Sequence, residues 1–223
     1  MRTVVFDLDG TLADTSGDLI AAANACFDAM GQGRPLDPVA DALTAFAGGR
    51  AMLRLGFGRL DKGWSEADVD MQYPVLLRAY AEAIAVHTVL YPGAVDAVET
   101  LRRNGFATAI CTNKPEGLAI ALCQKLGISG LFGALLGADS LPVRKPDPEH
   151  YFETVRRVSG TRGQSILIGD TVTDRDTARA AGVPIVLVGF GPEGAGVARL
   201  EPDALLNHYC DLPELAERFL GKT

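Results

Sequence analysis

Val4-Val5-Phe6-Asp7-Leu8-Asp9-Gly10-Thr11-Leu12 is the stretch of sequence that decides the fold. Three apolar residues lead directly into two aspartates one residue apart, which predicts a short buried strand that ends in a polar turn. Side chains alternate along an extended segment, so Asp7 and Asp9 point the same way only while the chain stays extended. Gly10 indicates that the chain soon turns. We therefore expect the chemistry of the protein at the end of this strand.

Composition limits the class of protein and its partners. The 223 residues, 48% hydrophobic and 22% charged, suit one large domain or one domain with a smaller one. The net charge of -7 and the lack of a basic run argue against nucleic-acid and anionic membrane partners. No apolar segment reaches the length of a membrane span, and Asp7 interrupts the apolar run at the N-terminus. We expect a cytoplasmic protein.

The cysteines favour a reducing compartment. None of them forms a Cys-x-x-Cys pair and they lie far apart, so buried free thiols are expected rather than a zinc site or disulfides. The four positions are Cys26, Cys111, Cys123 and Cys210.

Strands and helices alternate over most of the chain, which is typical of a parallel sheet with helices on both faces. We predict an α/β fold with a Rossmann-like core formed by residues 1–15 and 88–223. The segment 16–87 has helical periodicity without a convincing strand, and is predicted to be an inserted all-helical cap. The tail after residue 193 is predicted to contain a loop and a last helix. The predicted core strands after the first are 106–111, 134–138, 165–168 and 184–188, and the predicted core helices are 94–104, 116–126, 148–158, 174–181 and 213–220.

Polar residues follow four of the predicted strands. In an open parallel sheet the ligand site lies outside the carboxyl ends of the strands, so these residues should meet at one edge. Crowded carboxylates repel one another, and a divalent cation removes this difficulty. Oxygen ligands without histidine or cysteine favour Mg²⁺ over zinc. The residues are Asp7, Asp9, Thr112, Asn113, Lys114, Lys145, Asp170 and Asp174.

A cation, a lysine and a hydroxyl form a phosphate-binding set, and a carboxylate beside them can attack phosphorus. We predict Asp7 as the nucleophile that forms an aspartyl-phosphate. Asp9 is predicted to donate a proton to the leaving alcohol and then to accept one from water.

The remaining strand-end residues are predicted to support this reaction. Lys145, Thr112 and backbone amides of the turn at residues 9–11 would hold the phosphate oxygens, with Asn113 as a further phosphate-binding candidate. Asp170 would ligate the metal, and Asp174 would orient Lys145 or metal-bound water. The same residues also have purely structural explanations. Asp-Gly-Thr is a common turn, whereas Asp170, Asp174, Thr112 and Asn113 could be helix caps.

With these residues, the chain resembles the haloacid dehalogenase superfamily, in the phosphatase branch that carries a helical cap after the first strand. The resemblance implies Mg²⁺ bound by the Asp7 carboxylate, the Asp9 main-chain carbonyl and Asp170. It also implies a phosphoryl group bound by Thr112 and Lys145. The four signatures are matched in order by Asp7-x-Asp9-Gly10-Thr11, Thr112-Asn113, Lys145-Pro146 and Gly169-Asp170-Thr171-x-x-Asp174.

Two local motifs refine the resemblance. Thr112-Asn113-Lys114-Pro115, and Ala138-Asp139-Ser140-Leu141-Pro142 with Lys145-Pro146-Asp147-Pro148, are most similar to phosphoglycolate phosphatases, which favours 2-phosphoglycolate as the substrate. β-Phosphoglucomutase shares the four signatures and differs mainly in the cap, so a phosphotransferase stays as an alternative. A receiver-like signalling module also accepts phosphate on an aspartate, but it has no need of a helical insert.

Substrate recognition is less specified by the sequence. Arg50 follows a glycine pair in the insert and could bind a second anionic group of the substrate, although a solvated helix arginine explains it equally well. Lys114 is a second candidate for substrate binding. Gly189-Phe190-Gly191-Pro192-Glu193-Gly194 resembles a dinucleotide-binding loop but follows the last predicted strand, so a glycine loop at the rim of the site is expected. A small phosphate ester is the expected partner, with the chain as a monomer or homodimer.

Overall fold

The structure is a computed structural model that describes residues 1–60 and 63–221. It divides into two compact units. The α/β unit comprises Met1–Ala13 and Leu90–Thr223, and the helical unit comprises Asp14–Val89. Residues 61–62 and 222–223 belong to the domain ranges predicted from the sequence but lie outside the described residues.

After its first strand the chain runs through a series of helices and then alternates between strands and helices. The elements in chain order are β1 (Thr3–Phe6), β2 (Ala13–Asp14), α1 (Ser16–Ala29), α2 (Ala42–Phe46), α3 (Gly49–Gly58), α4 (Glu66–Glu82), β3 (Val89–Leu90), α5 (Ala94–Arg103), β4 (Ala107–Cys111), α6 (Glu116–Lys125), β5 (Ala134–Leu136), α7 (Pro148–Arg157), β6 (Ser165–Gly169), α8 (Val172–Ala181), β7 (Ile185–Val188), β8 (Ala204–Leu206) and α9 (Leu212–Leu220). Short 3₁₀ helices occur at Ser129–Leu131, Arg162–Gln164, Gly194–Leu200 and Tyr209–Asp211.

The described residues of the α/β unit form a six-stranded sheet in the order β5-β4-β1-β6-β7-β8. Every neighbouring pair is parallel, and β1 lies near the centre, with Val5 paired to Ala109 of β4 and to Leu167 of β6. All four residues of β1 are buried, which explains its continuous apolar sequence. This sheet confirms the predicted α/β class. Because the strands are parallel, their carboxyl ends share one edge.

The sheet has an edge strand that the sequence analysis assigned to a loop. Strand β8 pairs with β7, with Ala204 opposite Val186 and Leu206 opposite Val188. Its three residues are too few to show a period-2 pattern, so only pairing with a neighbouring strand distinguishes them from a loop.

Helices α7 and α8 cover the sheet through a continuous apolar cluster. Val5, Leu167 and Leu187 of three adjacent strands pack in one buried cluster with Tyr151 of α7 and Ala178 of α8. Close packing of this kind holds the strand ends in fixed positions. The cysteines are free, as predicted, but Cys210 is exposed whereas Cys26, Cys111 and Cys123 are buried.

The helical unit is built on α1, which packs against α2, α3 and α4. Phe27 of α1 meets Phe57 of α3 edge to face, with ring centroids 5.1 Å apart. Asp18 of α1 is buried and accepts hydrogen bonds from the backbone N–H groups of His87 and Thr88 and from the Thr88 hydroxyl. Among the described residues, no helix is both long enough and apolar enough to cross a membrane.

Gly56 lets α3 approach α1, and its replacement should destabilise the protein. A Cβ at Gly56 would lie 2.3 Å from two carbons of the Phe27 ring, and this ring is fully buried and packs edge to face against Phe57. Although alanine favours a helix by about 1 kcal/mol, overpacking costs about 1–3 kcal/mol. We expect Gly56→Ala to lower the urea midpoint of unfolding.

Gly58→Ala is the matched control, because Gly58 lies in the same helix and a Cβ there would meet nothing within 4 Å. We expect it to leave stability unchanged or to raise it slightly. Equal midpoints for the two variants would contradict the packing explanation.

Candidate active site

The polar site begins where β1 and β6 end. Asp7 follows the last residue of β1 and Asp170 follows the last residue of β6, and these two strands are neighbours in the sheet. Gly169 is required at this point, because a Cβ would lie 2.4 Å from Cβ and Cγ of Asp174. The close approach brings the start of α8 against the end of β6, so the carboxylates of both elements meet.

Lys145 lies between two of these carboxylates. Its Nζ is 2.6 Å from Asp174 Oδ1 and 3.1 Å from Asp7 Oδ2, and its side chain is 1% exposed. Burial by itself would lower the pKa of Lys145, but the negative charges of Asp174 and Asp7 outweigh it and raise the pKa above the ordinary value. Lys145 therefore remains a cation inside the site.

Asp174 is bonded through both of its carboxylate oxygens. Oδ1 accepts from Lys145, and Oδ2 accepts from the backbone N–H and the hydroxyl of Thr171 at 3.0 and 2.7 Å and from the backbone N–H of Asp170 at 3.2 Å. Burial opposes ionisation, but Lys145 and Thr171 together hold the pKa of Asp174 below its ordinary value. Asp174 thus caps α8 and also fixes Lys145. The sequence analysis had left these two roles as alternatives.

The protein partners of Asp7 and Asp170 do not fully offset the cost of ionising these two buried carboxyl groups. The pKa of Asp7 is raised to about 6, chiefly by burial; the charge of Lys145 opposes the rise, and the charges of Asp174 and Asp9 contribute to it. Burial also raises the pKa of Asp170 well above its ordinary value, with Asp174 and then Asp7 adding to the effect. Such shifts are expected where several acids are buried together.

The site has the oxygen donors that a hard divalent cation requires. One carboxylate oxygen from each of Asp7, Asp170 and Asp174 lies within 4.8 Å of the others. Lys145 and the hydrogen bonds from Thr171 already stabilise the ionised form of Asp174, whereas the partners of Asp7 and Asp170 do not offset their burial, so Asp7 and Asp170 are the carboxylates suited to hold a cation. Their raised pKa values fit this assignment, because a bound cation would supply the missing positive charge.

Two residues from other parts of the α/β unit position Asp170. The Thr11 hydroxyl donates to Asp170 Oδ1 at 2.8 Å, and the Tyr209 hydroxyl donates to the Thr11 carbonyl at 2.7 Å. Phe190 packs against Tyr209 and Tyr91, with ring centroids 5.1 and 5.2 Å apart. Sequence analysis did not identify Tyr209, because an isolated tyrosine near the C-terminus carries no motif.

The glycine loop after β7 lies beside the same site. A Cβ at Gly191 would approach the carbonyl oxygen of Gly10 to 2.8 Å and Cβ of Asp170 to 3.5 Å. The structure thus places the loop against the turn after β1, at the rim where the sequence analysis expected it. Its glycine at this position serves a close backbone contact.

Asp9 has a different lysine partner from Asp7. Lys114 Nζ is 2.9 Å from Asp9 Oδ1 and 3.1 Å from Oδ2. The Lys114 side chain is 3% exposed and that of Asp9 is 19% exposed. Lys114, predicted as a candidate for substrate binding, is thus engaged by the second aspartate of the motif.

Thr112 and Asn113 follow β4, the other neighbour of β1. Thr112 is buried, and its hydroxyl accepts a hydrogen bond from the Lys114 N–H at 3.2 Å. The Asn113 amide donates to the Lys145 carbonyl at 3.0 Å. The side chain of Asn113 therefore holds the backbone of the loop that carries Lys145, a function that the sequence analysis did not assign to it.

Arg50 belongs to the helical unit, where it makes local contacts. Its guanidinium pairs with Asp70 and lies over the Tyr73 ring, 4.6 Å from the centroid. The Arg50 side chain is 42% exposed. These are contacts that an arginine on a helix surface makes, and they leave part of the side chain accessible.

Comparisons of the sequence identify relatives that span nearly the whole chain. The family model of haloacid dehalogenase-like hydrolases matches residues 1–182. The phosphoglycolate phosphatase of Mesorhizobium japonicum is 37% identical over 218 residues, which cover 97% of this chain and 96% of the relative. The phosphoglycolate phosphatase of Agrobacterium fabrum is 36% identical over 222 residues, which cover 98% and 94%.

The fold is likewise similar to that of a solved structure. A predicted phosphoglycolate phosphatase from Haemophilus somnus matches with a TM-score of 0.85 at 23% identity, covering 96% of this chain and 97% of the other. The likeness concerns the fold, whereas the family follows from the sequence. With a family model matching most of its length and relatives above 30% identity across nearly all of it, the chain belongs to the haloacid dehalogenase-like hydrolases.

Proposed function

We propose that the protein is a Mg²⁺-dependent phosphatase that hydrolyses a small phosphate monoester through an aspartyl-phosphate on Asp7. The observation that carries this proposal is the buried group of Asp7, Lys145 and Asp170. It combines a carboxylate, a fixed cation and a second carboxylate suited to a metal at one sheet edge. Such a group can bind a phosphoryl dianion and attack it.

In the first half of the reaction, an Asp7 oxygen forms a bond to phosphorus while the bond from phosphorus to the ester oxygen breaks. Asp9 gives a proton to the departing ester oxygen, so the leaving group departs as an alcohol. In the second half, Asp9 takes a proton from water, whose oxygen bonds to phosphorus as the bond to Asp7 breaks. Inorganic phosphate leaves and both aspartates return to their initial states.

The other residues orient the phosphoryl group. Lys145 contributes a fixed positive charge, held by Asp174 at 2.6 Å, and Thr112 contributes a hydroxyl at the end of β4. Asn113 acts on Lys145 through the Lys145 carbonyl. Because these groups are already held in place, little reorganisation is needed when the substrate arrives.

The metal would be held by the carboxylates of Asp7 and Asp170 and by the main-chain carbonyl of Asp9. The Asp9 side chain is paired with Lys114, so a main-chain contribution from this residue is compatible with its ion pair. When bound, Mg²⁺ supplies positive charge that offsets the negative charge of the phosphoryl group and of the two aspartates.

We assign 2-phosphoglycolate as the substrate and the helical unit as the cap that excludes water during the first half-reaction. The relatives named phosphoglycolate phosphatase, at 36% and 37% identity over nearly the whole chain, support this substrate. Arg50 is our candidate for binding the substrate carboxylate, since a partly exposed guanidinium can bind it through two hydrogen bonds.

A panel of esters tests the proposed function. We expect the highest kcat/KM for 2-phosphoglycolate among 2-phosphoglycolate, β-glucose 1-phosphate and p-nitrophenyl phosphate, with repeated turnover and no phosphate release in EDTA. Conversion of β-glucose 1-phosphate to the 6-phosphate would indicate a phosphotransferase instead. A single phosphorylation event without turnover would indicate a signalling module.

Asp7→Asn identifies the nucleophile in the same assay. We expect it to abolish phosphate release, because an amide cannot form the acyl phosphate, while circular dichroism remains unchanged. Asp176→Asn is the control, since Asp176 lies in α8 with a side chain that is 48% exposed and pairs with Arg175. Full activity of Asp7→Asn would remove Asp7 from its role.

Cation binding should depend on pH with a defined sign. The pKa of Asp7 rises from 3.8 to about 6 on folding, so the cation-free protein loses stability as the pH increases through this interval. Mg²⁺ requires the ionised carboxylates, so its affinity should fall by at least about tenfold for each pH unit below 6, since Asp170 as well as Asp7 must lose its proton. We expect Mg²⁺ to raise the Tm more at pH 7.5 than at pH 5.0.

Asp170→Asn provides the control for this thermal experiment, because it removes one proposed ligand and keeps the shape of the side chain. Its Tm should respond weakly to Mg²⁺ at both pH values. An equal Tm increase at pH 5.0 and 7.5 in the unaltered protein would contradict the carboxylate site.

Arg50→Ala tests the proposed substrate contact. A charge-assisted hydrogen bond is worth about 1.5–3 kcal/mol, so KM for 2-phosphoglycolate should rise about tenfold or more while KM for p-nitrophenyl phosphate stays nearly constant. Arg54→Ala is the matched control, because Arg54 lies in the same helix and pairs with Glu66 of α4. Equal changes for both esters would assign Arg50 to the helix surface alone.

A further inference from the structure

The two aspartates of the Asp7-x-Asp9 motif are paired with separate buried lysines. Asp7 lies 3.1 Å from Lys145, and both carboxylate oxygens of Asp9 lie within 3.1 Å of Lys114. Lys145 is shared with Asp174, which completes the group around the proposed nucleophile. The acid-base carboxylate thus has its own cation, for which the phosphatase mechanism described above has no role.

Two hydrogen bonds hold the backbone of Lys114, one at its N–H and one at its carbonyl. Its N–H donates to the Thr112 hydroxyl at 3.2 Å, and its carbonyl accepts from the Ala138 N–H at 2.9 Å. The adjoining backbone is also constrained, because a Cβ at Gly137 would lie 2.7 Å from the Lys114 carbonyl oxygen. A lysine so fixed and only 3% exposed in its side chain is a rigid anchor for whatever it contacts.

The Asp9 carboxylate has little freedom while this ion pair lasts. Nζ of Lys114 lies at similar distances from Oδ1 and Oδ2, so the cation faces the fork of the carboxylate. Part of Asp9 remains accessible, since 19% of its side chain is exposed. Asp9 is therefore oriented from one side and open on another, as a group that exchanges protons with bound molecules must be.

We propose that Lys114 is a positioning residue that holds the Asp9 carboxylate for proton transfer to and from the ester oxygen and water. The inference rests on the proposed phosphatase function and assigns Lys114 to the reaction rather than to the substrate. Asp9 gives the ester oxygen the proton that it took from water in the preceding turnover, and the ammonium of Lys114 then faces the carboxylate that forms. When Asp9 takes a proton from water, the reverse change occurs and Lys114 keeps its own protons.

Changing the leaving group of the ester distinguishes a role of Lys114 in positioning Asp9 from a purely structural role. An alkoxide is a poor leaving group and needs a proton from Asp9, whereas p-nitrophenolate departs without one. General acid catalysis contributes about 10²- to 10⁴-fold, so Lys114→Met should lower kcat/KM for 2-phosphoglycolate, which reports the steps up to departure of the alcohol, by about 10²-fold or more. For p-nitrophenyl phosphate the loss of kcat/KM should be much smaller, and Asp9→Asn should show the same imbalance.

Lys125→Met is the matched control, because Lys125 is an exposed lysine at the end of the helix that follows Lys114. It should leave both rates unchanged. Lys114→Arg retains a cation. The ratio of kcat/KM for 2-phosphoglycolate to kcat/KM for p-nitrophenyl phosphate should therefore fall less in Lys114→Arg than in Lys114→Met. If Lys114→Met fails to fold, Lys114→Arg still decides, since a ratio as low as that of Asp9→Asn would contradict positioning by a cation.

Two further outcomes would overturn the proposal. An equal loss of kcat/KM on both esters would assign Lys114 to the architecture of the site. A raised KM for 2-phosphoglycolate at constant kcat would assign it to substrate binding. Failure of the proposed function is distinguishable from both, because the unaltered protein would then release phosphate from neither ester.

Discussion

The main constraint on the structure is the free-energy cost of burying several carboxylates at one edge of a parallel sheet. Asp7, Asp170 and Asp174 meet where β1, β6 and α8 come together, and each is largely removed from water. Buried acids of this kind tend to keep their protons unless positive charge lies close to them. Lys145 supplies one such charge and, together with hydrogen bonds from Thr171, keeps Asp174 ionised. The raised pKa values of Asp7 and Asp170 show that these two carboxyl groups lack enough positive charge nearby.

Each carboxylate of the site has its own set of polar side-chain and backbone partners. Asp174 is saturated by Lys145 and the start of α8, so it acts on its neighbours rather than on a ligand. Thr11 and Tyr209 form a chain of hydrogen bonds that ends on Asp170. Lys114 accompanies Asp9. The carboxylates of the site thus differ in their partners although they share a residue type, and in our proposal this difference separates nucleophile, acid-base group and metal ligand.

Much of this arrangement could be predicted, because a parallel sheet brings the residues that follow its strands to one edge. Asp7, Lys145, Asp170 and Asp174 were expected together for that reason, and they lie together. Strand β8 and Tyr209 could not be predicted, since neither carries a pattern of its own. Their positions follow from pairing with β7 and from a buried hydroxyl that reaches the backbone of the first turn.

By itself, the sequence determined the α/β class and the set of strand-end residues, and it predicted a helical insert, because these follow from periodicity and from residue type at each strand end. Only the tertiary structure decided which lysine accompanies which aspartate and that the Asn113 amide holds the Lys145 carbonyl. The physical reason is that ion pairs and hydrogen bonds depend on distances of a few ångströms between residues that are far apart in the chain. Local pattern does not encode those distances; the packing of helices against the sheet sets them.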